Sequence, residues 1–174
     1  MRIRRTSPLV CASHDTASAP TRTVLRIGRG FDTMPRMSNP ISITTHERFG
    51  RLTASSGSKW EPKMGYSRAV RSGNVIAVTG TVGINADGTY PKSMGEQAQR
   101  SLDIILAAIQ ALGGKAEHVI RTRMYVTDVS LWEEVAAVHG KVFGEIRPAT
   151  SILEVPRLID ADAMIEIEAD AIVA

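Results

Sequence analysis

Apolar and polar residues alternate with the period of β-strands in the stretch that follows residue 66. Residues 67–72 and 75–82 are short runs of strand-forming residues. The pair Gly73-Asn74 between them tolerates the positive φ of a two-residue hairpin turn, so this stretch predicts a β-hairpin. Residues 50–65 are rich in Ser, Gly, Lys and Pro, which indicates irregular structure, and regular folding is expected to begin near Tyr66.

Residues 93–114 repeat their apolar positions with the period of a helix. Ser93 and Glu96 form the pattern of a capping box, and Gly113-Gly114 predicts a left-handed end to the helix. The apolar stripe between them consists of Ala98, Leu102, Ile105, Leu106, Ile109 and Leu112. We therefore expect one side of this helix to cover a sheet.

A second amphipathic helix is predicted after residue 129. Ser130 with Glu133 indicates another capping box, and Gly144 can end the helix. Its apolar positions are Leu131, Val135, Val138 and Val142. With further strands near residues 119–127, 150–155 and 164–173, the predicted order is ββαβαββ. This order is typical of an α+β fold in which two helices cover one face of a sheet.

Two of the predicted strands carry charge on one face. In residues 119–127 the apolar face is expected to hold Ile120, Thr122, Met124 and Val126, and the opposite face Arg121, Arg123 and Tyr125. The last strand presents a row of carboxylates, Glu166, Glu168 and Asp170. Carboxylates in a row repel one another unless cations lie opposite, so we expect Arg121 and Arg123 to pair with them. Such a face is either solvated or buried between subunits.

Length and composition limit the class of protein. The chain has 174 residues, enough for one domain, and its 43% hydrophobic and 22% charged residues are typical of a globular protein. The longest apolar run, residues 104–109, is too short to cross a bilayer, so no membrane partner is expected. A single cysteine, Cys11, excludes an intrachain disulfide and favours a reducing, cytoplasmic location.

Residues 1–36 differ in charge from the remainder of the chain. They hold seven arginines and two aspartates, a net of +5, whereas the other 138 residues hold 14 basic and 16 acidic side chains, a net of −2. We expect this segment to be a disordered basic extension before a domain over residues 37–174. Its composition fits an organelle targeting segment, an extension upstream of a true start at Met34 or Met37, or a basic interaction arm.

Motifs for metals, nucleotides and nucleic acids are weak. Asp160 and Asp162 lack further clustered ligands, and the four histidines show no ligand spacing, so no metal is expected. No glycine-rich phosphate loop is complete, which predicts no nucleotide cofactor. An acidic body with 5% aromatic residues argues against a nucleic-acid partner.

Six segments together resemble the RidA/YjgF family, in matching order and spacing over about residues 60–174. They are GYSRAV (65–70), VTG (78–80), LGG (112–114), VIRT (119–122), RPATS (147–151) and IEIEA (165–169). The resemblance implies a chorismate-mutase-like fold assembled as a homotrimer. In it, three sheets form a central barrel and small-molecule clefts lie between neighbouring subunits, which would account for the charged sheet face.

The resemblance also implies an activity. Archetypal members hydrolyse reactive 2-imino or enamino acids to 2-keto acids and ammonia without a metal or cofactor. An arginine holds the substrate carboxylate, and a glutamate positions the attacking water. By motif position the catalytic glutamate is Glu166, and the substrate-binding set comprises Tyr66, Thr79, Gly80, Thr150, Arg121 and Arg123.

Thr150 departs from the family pattern, because it occupies the arginine position immediately after Pro-Ala. A threonine hydroxyl offers one neutral hydrogen bond where arginine offers two charge-assisted ones. Arg121 and Arg123 can reach a cleft from the adjacent strand, although pairing with the carboxylate row is the competing use. We therefore expect a protein that binds or hydrolyses a small imine- or enamine-type metabolite in intersubunit clefts. The alternatives are a non-catalytic metabolite-binding module and, more remotely, an endoribonuclease.

Overall fold

One mixed sheet organises the residues that the computed structural model describes, 22–25 and 40–174. Its eight strands are β1 (Arg22–Leu25), β2 (Ile43–Arg48), β3 (Arg51–Ser55), β4 (Ala69–Ser72), β5 (Val75–Val82), β6 (Val119–Val126), β7 (Ala149–Glu154) and β8 (Ile165–Ile172). Their spatial order is β1-β2-β3-β4-β5-β8-β6-β7. Neighbouring strands are antiparallel except β6 and β7, which run parallel and need a crossover connection.

Helices lie between these strands. They are α1 (Trp60–Met64), α2 (Met94–Ala111) and α3 (Trp132–Phe143), with short 3-10 turns at Ala116–His118 and Val129–Leu131. The long helix α2 lies across β5 and β8, and α3 packs beside α2 while forming the β6–β7 crossover. From β4 onward the order is ββαβαββ, which confirms the predicted α+β class. No helix within the described ranges is long and apolar enough to span a membrane.

Local sequence signals account for the regular elements around β5 and α2. Ser72 pairs with Val75 across the predicted hairpin turn, where Gly73 has φ 60°. At the start of α2 the Ser93 hydroxyl accepts the Glu96 amide at 3.2 Å, and the Glu96 carboxylate accepts the Ser93 amide at 3.2 Å. Gly113 follows the helix with φ 82°. The hairpin, the capping box and the left-handed end are confirmed.

The chain between residues 43 and 64 contains two strands and a helix, so the expectation that folding begins near Tyr66 is wrong. β2 and β3 form a hairpin in which Arg48 pairs with Arg51, and α1 follows it. The turn is made by Phe49 and Gly50, with φ 52° and 71°. Phenylalanine seldom adopts a left-handed conformation, which is why the sequence gives no turn signal at this point.

The second predicted capping box does not form. The Asp128 carboxylate accepts the Ser130 amide at 2.9 Å and the Ser130 hydroxyl at 2.6 Å. Ser130 therefore lies inside a 3-10 turn capped by Asp128, and α3 begins only at Trp132. Asp128 was the stronger local cap because its carboxylate is free to bond two residues ahead.

A register shift near the start of β6 corrects the predicted strand face. Val119 pairs with Ala171 and Arg121 pairs with Asp170, so β6 holds one extra residue at Ile120. Val119 takes the core-facing position and Ile120 is 48% exposed. Beyond this bulge Thr122 and the apolar residues after it face the core as predicted.

The predicted disordered extension lies mostly outside the described residues. The part that is described, Arg22–Leu25, pairs antiparallel with β2. The boundary between residues 36 and 37 stays a prediction.

The core lies between the sheet and α2, and it fixes the chain around β8. Alternate residues of β8, Ile165, Ile167, Ala169 and Ala171, are fully buried. The buried Gln97 side chain on α2 donates to Pro91 O and Asp162 O, each at 3.0 Å, and accepts the Met164 amide at 2.8 Å. One amide side chain therefore holds the loop that leads into β8 against α2.

Gly83 allows α2 to approach the end of β5. A Cβ atom at this position would lie 2.2 Å from the backbone oxygen of Gln97 and 2.7 Å from its Cα. Backbone atoms cannot turn aside as a side-chain tip can, so any side chain at Gly83 would push the helix off the strand.

We expect Gly83→Ala to lower the melting temperature by several degrees. Overpacking of this kind costs about 1–3 kcal/mol, and each kcal/mol lowers the melting temperature of a chain of this size by about 2–4 °C. Gly140→Ala on α3 is the matched control, because nothing lies within 4 Å of its Cβ. Thermal unfolding by circular dichroism measures both. Equal melting temperatures for the two variants would contradict the close approach.

Candidate functional site

Gly80 and Glu166 meet at the junction of β5 and β8. Val82 pairs with Glu166, and the register of the two strands shifts between Val78 and Thr81. A Cβ atom on Gly80 would lie 1.8 Å from Glu166 Oε1. The absent side chain therefore makes the space in which the Glu166 carboxylate lies.

A buried guanidinium lies beside this junction. Arg68 donates from Nη1 to Gly80 O at 2.8 Å and to Thr81 Oγ1 at 2.9 Å. Its Nε donates to Ser56 Oγ at 3.2 Å, and Nη2 approaches the Tyr66 hydroxyl at 3.4 Å. The guanidinium also lies over the Tyr66 ring, 5.7 Å from the centroid. Arg68 thus fixes the β5 backbone and the tyrosine with one side chain.

Glu61 on α1 supplies the opposite charge. Its Oε1 lies 4.0 Å from Arg68 Nε, and both side chains are more than nine-tenths buried. The Glu61 carboxylate accepts the Ser56 amide at 3.0 Å, the Ser56 hydroxyl at 2.8 Å and the Ser55 hydroxyl. We call Ser55, Ser56, Glu61 and Arg68 the buried ion cluster. Burial of a charge is tolerated only with such complete partnering.

Sequence reasoning missed both ions of this cluster. Arg68 alternates with the core-facing Ala69, so the strand pattern places it on the open face and gives no sign of its burial. Glu61 gave none, since its burial depends on the packing of α1 against β3.

The surroundings of Glu166 favour the protonated form of its carboxyl group. Burial raises the pKa of the Glu166 carboxyl above its ordinary value, neighbouring Glu168 raises it further, and Arg68 acts in the opposite direction. Burial and the negative charges of Asp160, Asp162 and Glu166 raise the pKa of Tyr90. A carboxylate with a raised pKa, at a partly exposed position, is suited to general base chemistry.

The charged row on β8 pairs with one of the two predicted arginines. Arg123 Nη1 lies 3.3 Å from Glu168 Oε2, and Nη2 lies 3.3 Å from Asp170 Oδ2. Arg121 stands opposite Asp170 in register, yet it forms no ion pair with any residue in the described ranges. Arg121 is four residues from the β6 position opposite Glu166, a separation of about 13 Å along a strand.

Thr150 lies on the other face of the sheet. It pairs in register with the fully buried Thr122, and their hydroxyl oxygens are 2.7 Å apart. His139 Nε2 on α3 is 2.9 Å from Thr122 Oγ1 and 3.4 Å from Thr150 Oγ1. We call these three residues the hydroxyl–imidazole cluster. Within one chain, Thr150 therefore does not meet Glu166.

The remaining predicted residues fall into two places. Tyr66 and Gly80 lie with Glu166 and Arg68, as described above. Thr79 lies in the register shift next to Gly80, where its amide donates to Arg68 O at 3.1 Å and its carbonyl accepts the Thr81 hydroxyl at 2.8 Å. Across residues 40–174 there is no group of three or more His, Cys, Asp or Glu side chains arranged to hold a metal ion.

Known proteins match this chain over its C-terminal two-thirds. The family model described as Endoribonuclease L-PSP matches residues 57–173. The 2-iminobutanoate/2-iminopropanoate deaminase of Escherichia coli K12 is 35% identical over 111 residues, which are 62% of this chain and 86% of the deaminase.

Solved structures share the fold. A member of the YjgF/YER057c/UK114 family from Mycobacterium tuberculosis is 44% identical with a TM-score of 0.66, covering 71% of this chain and 99% of that one. TdcF of E. coli, solved with bound serine, is 26% identical with a TM-score of 0.59, covering 63% of this chain and 88% of TdcF.

We expect Gly80→Ala to displace the Glu166 carboxylate while the fold survives. The colliding atom is the tip of a flexible side chain, which can rotate away at small cost. Turnover should fall as far as in Glu166→Gln. The double variant should lose nothing further, because both changes remove the same carboxylate from the site. Additive losses would show that Gly80 acts independently. Circular dichroism and turnover measure the two effects.

Proposed function

The chain belongs to the RidA/YjgF family, whose model matches residues 57–173, and from that premise we propose that it hydrolyses a small imine or enamine in clefts between copies of itself. The Glu166 carboxylate in the space left by Gly80 carries this proposal. It is a base of raised pKa, and the buried Arg68, whose charge acts on it, also contacts the Tyr66 hydroxyl. The deaminase activity named for the E. coli relative supports the reaction class.

Glu166 performs both proton transfers of the reaction. It takes a proton from water as the water oxygen attacks the imine carbon, and the C=N electrons move to nitrogen. It returns this proton to nitrogen, which gives the carbinolamine. It then moves the carbinolamine hydroxyl proton to the same nitrogen as the C–N bond breaks, which leaves a carbonyl and ammonia. One water is consumed for each C–N bond broken. A carboxylate with a pKa nearer to neutral suits both steps, because it accepts and releases the proton at small cost.

A cleft between two copies would bring residues from opposite faces of the sheet to one ligand. Glu166 and Thr150 lie on opposite faces, so a ligand can touch both only if two copies contribute them. The row of Arg123, Glu168 and Asp170 is about one-third exposed, and a second copy of the sheet would cover it. TdcF, solved with bound serine, is a relative that holds a small molecule.

We expect Thr150→Arg to create or increase 2-imino acid hydrolysis by about 10- to 100-fold in kcat/KM. One charge-assisted anchor for a carboxylate contributes about 1.5–3 kcal/mol. An amino-acid oxidase generates the imino acid in situ, and semicarbazide competes for the imine that remains. Glu166→Gln in the same background should abolish the gain. If Thr150→Arg folds but changes nothing, Thr150 is not the determinant of carboxylate binding.

We also propose a homotrimer, as the family resemblance implies, because the charged row, about one-third exposed, and the divided site call for neighbouring copies. Light scattering of the purified chain should give three times the chain mass of 18.8 kDa. A monomer mass would overturn the intersubunit cleft.

A further inference from the structure

We infer that this chain acts on imines that carry no carboxylate. This selectivity rests on the proposed hydrolysis for its reaction. The selectivity follows from the charges at the two ends of the proposed cleft. One end is the hydroxyl–imidazole cluster, and the other is formed by the groups around Glu166.

The hydroxyl–imidazole cluster presents neutral groups to a ligand. Thr150 is exposed, and its hydroxyl is 2.7 Å from the buried Thr122 hydroxyl, which in turn contacts His139 Nε2 at 2.9 Å. Burial lowers the pKa of the His139 imidazole, which favours the uncharged ring. A carboxylate placed against Thr150 would lose water and gain one neutral hydrogen bond, which does not offset its desolvation.

Glu166 lies near a second carboxylate, Glu168, and the buried cation that acts on it, Arg68, is already paired with Glu61. Glu168 lies near enough to raise the pKa of Glu166, and the Tyr90 hydroxyl is influenced by Asp160, Asp162 and Glu166 together. An anionic substrate approaching Glu166 would be repelled by Glu168, and on the side of Tyr90 by Asp160 and Asp162. A neutral imine would not be, and its protonated iminium form would be attracted.

The arginines near Glu166 are committed or distant. Arg68 is buried, with Nε and Nη1 donating to Ser56, Gly80 and Thr81. Arg123 bridges Glu168 and Asp170. Arg121 stands about 13 Å along its strand from the position opposite Glu166. Within one chain, none of the three places an unpaired guanidinium beside Glu166.

Arg147 is the cation nearest in sequence to Thr150. Its φ of 53° places it outside the extended strand β7, and its Nε donates to Gly144 O at 3.1 Å, at the end of α3. It is therefore held toward the end of the helix rather than along the strand that carries Thr150.

Two imines of similar size test the selectivity in the full-length protein. A flavin amine oxidase with O2 oxidises ethylamine to its aldimine, ethanimine, and an amino-acid oxidase with O2 oxidises alanine to 2-iminopropanoate. Semicarbazide traps the imine that remains, so slower trapping measures hydrolysis. We expect the wild type to accelerate hydrolysis of the aldimine at least about tenfold more than that of the imino acid, each relative to buffer.

Two variants separate the causes. Thr150→Arg should reverse the preference, because it adds a cation at the neutral end of the cleft. The double change Asp160→Asn with Asp162→Asn is the second test if Thr150→Arg fails to fold, because both substitutions are isosteric. It removes two negative charges without adding an anchor and should reduce the preference several-fold. Thr150→Val, which keeps the shape without adding charge, is the matched control and should retain the preference.

The outcomes distinguish the selectivity from the reaction. Equal or faster hydrolysis of the imino acid by the wild type overturns the selectivity and leaves the hydrolysis standing. No acceleration of either imine by the wild type or by Thr150→Arg overturns the proposed hydrolysis, and the selectivity falls with it.

Discussion

The buried Arg68 guanidinium is the interaction on which the rest of the candidate site depends. A cation removed from water must find all its partners inside the protein, and Arg68 takes them from three directions. Ser56 and Glu61 lie on one side, the β5 backbone at Gly80 on another, and the Tyr66 ring and hydroxyl on the third. Because the Gly80 carbonyl is bonded here, the space beside Glu166 has a fixed position. Loss of the arginine would leave the Glu61 carboxylate buried without a counter-ion.

The two faces of the sheet have different chemistry because helices cover only one of them. The face under α2 is apolar and continuous along β8, with the hydroxyl–imidazole cluster as its polar margin beside α3. The other face holds Glu166 and the charged row. Successive side chains of a pleated strand point to opposite faces of the sheet. A single stretch of alternating sequence therefore specifies both the core and the reactive surface.

Periodicity and local caps were sufficient for the sheet-and-helix framework from β4 to β8. The hairpin at Gly73, the capping box at Ser93 and the alternation of β8 all follow from interactions within a few residues. The failures share one cause, which is that the deciding contact is not local or not typical. The Phe49-Gly50 turn is held by the pairing of β2 with β3, and the Ile120 bulge exists only in the register with β8.

The site was predictable to a lesser degree. Motif position indicated Glu166 and Gly80, which adjoin, and Tyr66, which Arg68 links to Gly80. It could not indicate that Thr150 faces the opposite side. That placement follows from the parallel register of β6 and β7. The partners of Arg68 were equally hidden, because no periodicity or cap links it to Ser56, Glu61 or Gly80.

The buried ion cluster extends beyond the segment that the family model matches. The family match starts at residue 57, but Ser55 and Ser56, which hold the Glu61 carboxylate, precede it. A fragment cut at the family boundary would keep both ions and discard two of the residues that solvate the anion. β3 would be lost with them, leaving β4 without its neighbour in the sheet. The contacts of the Glu61 carboxylate and of β4 therefore reach beyond the matched segment, into the strand before it.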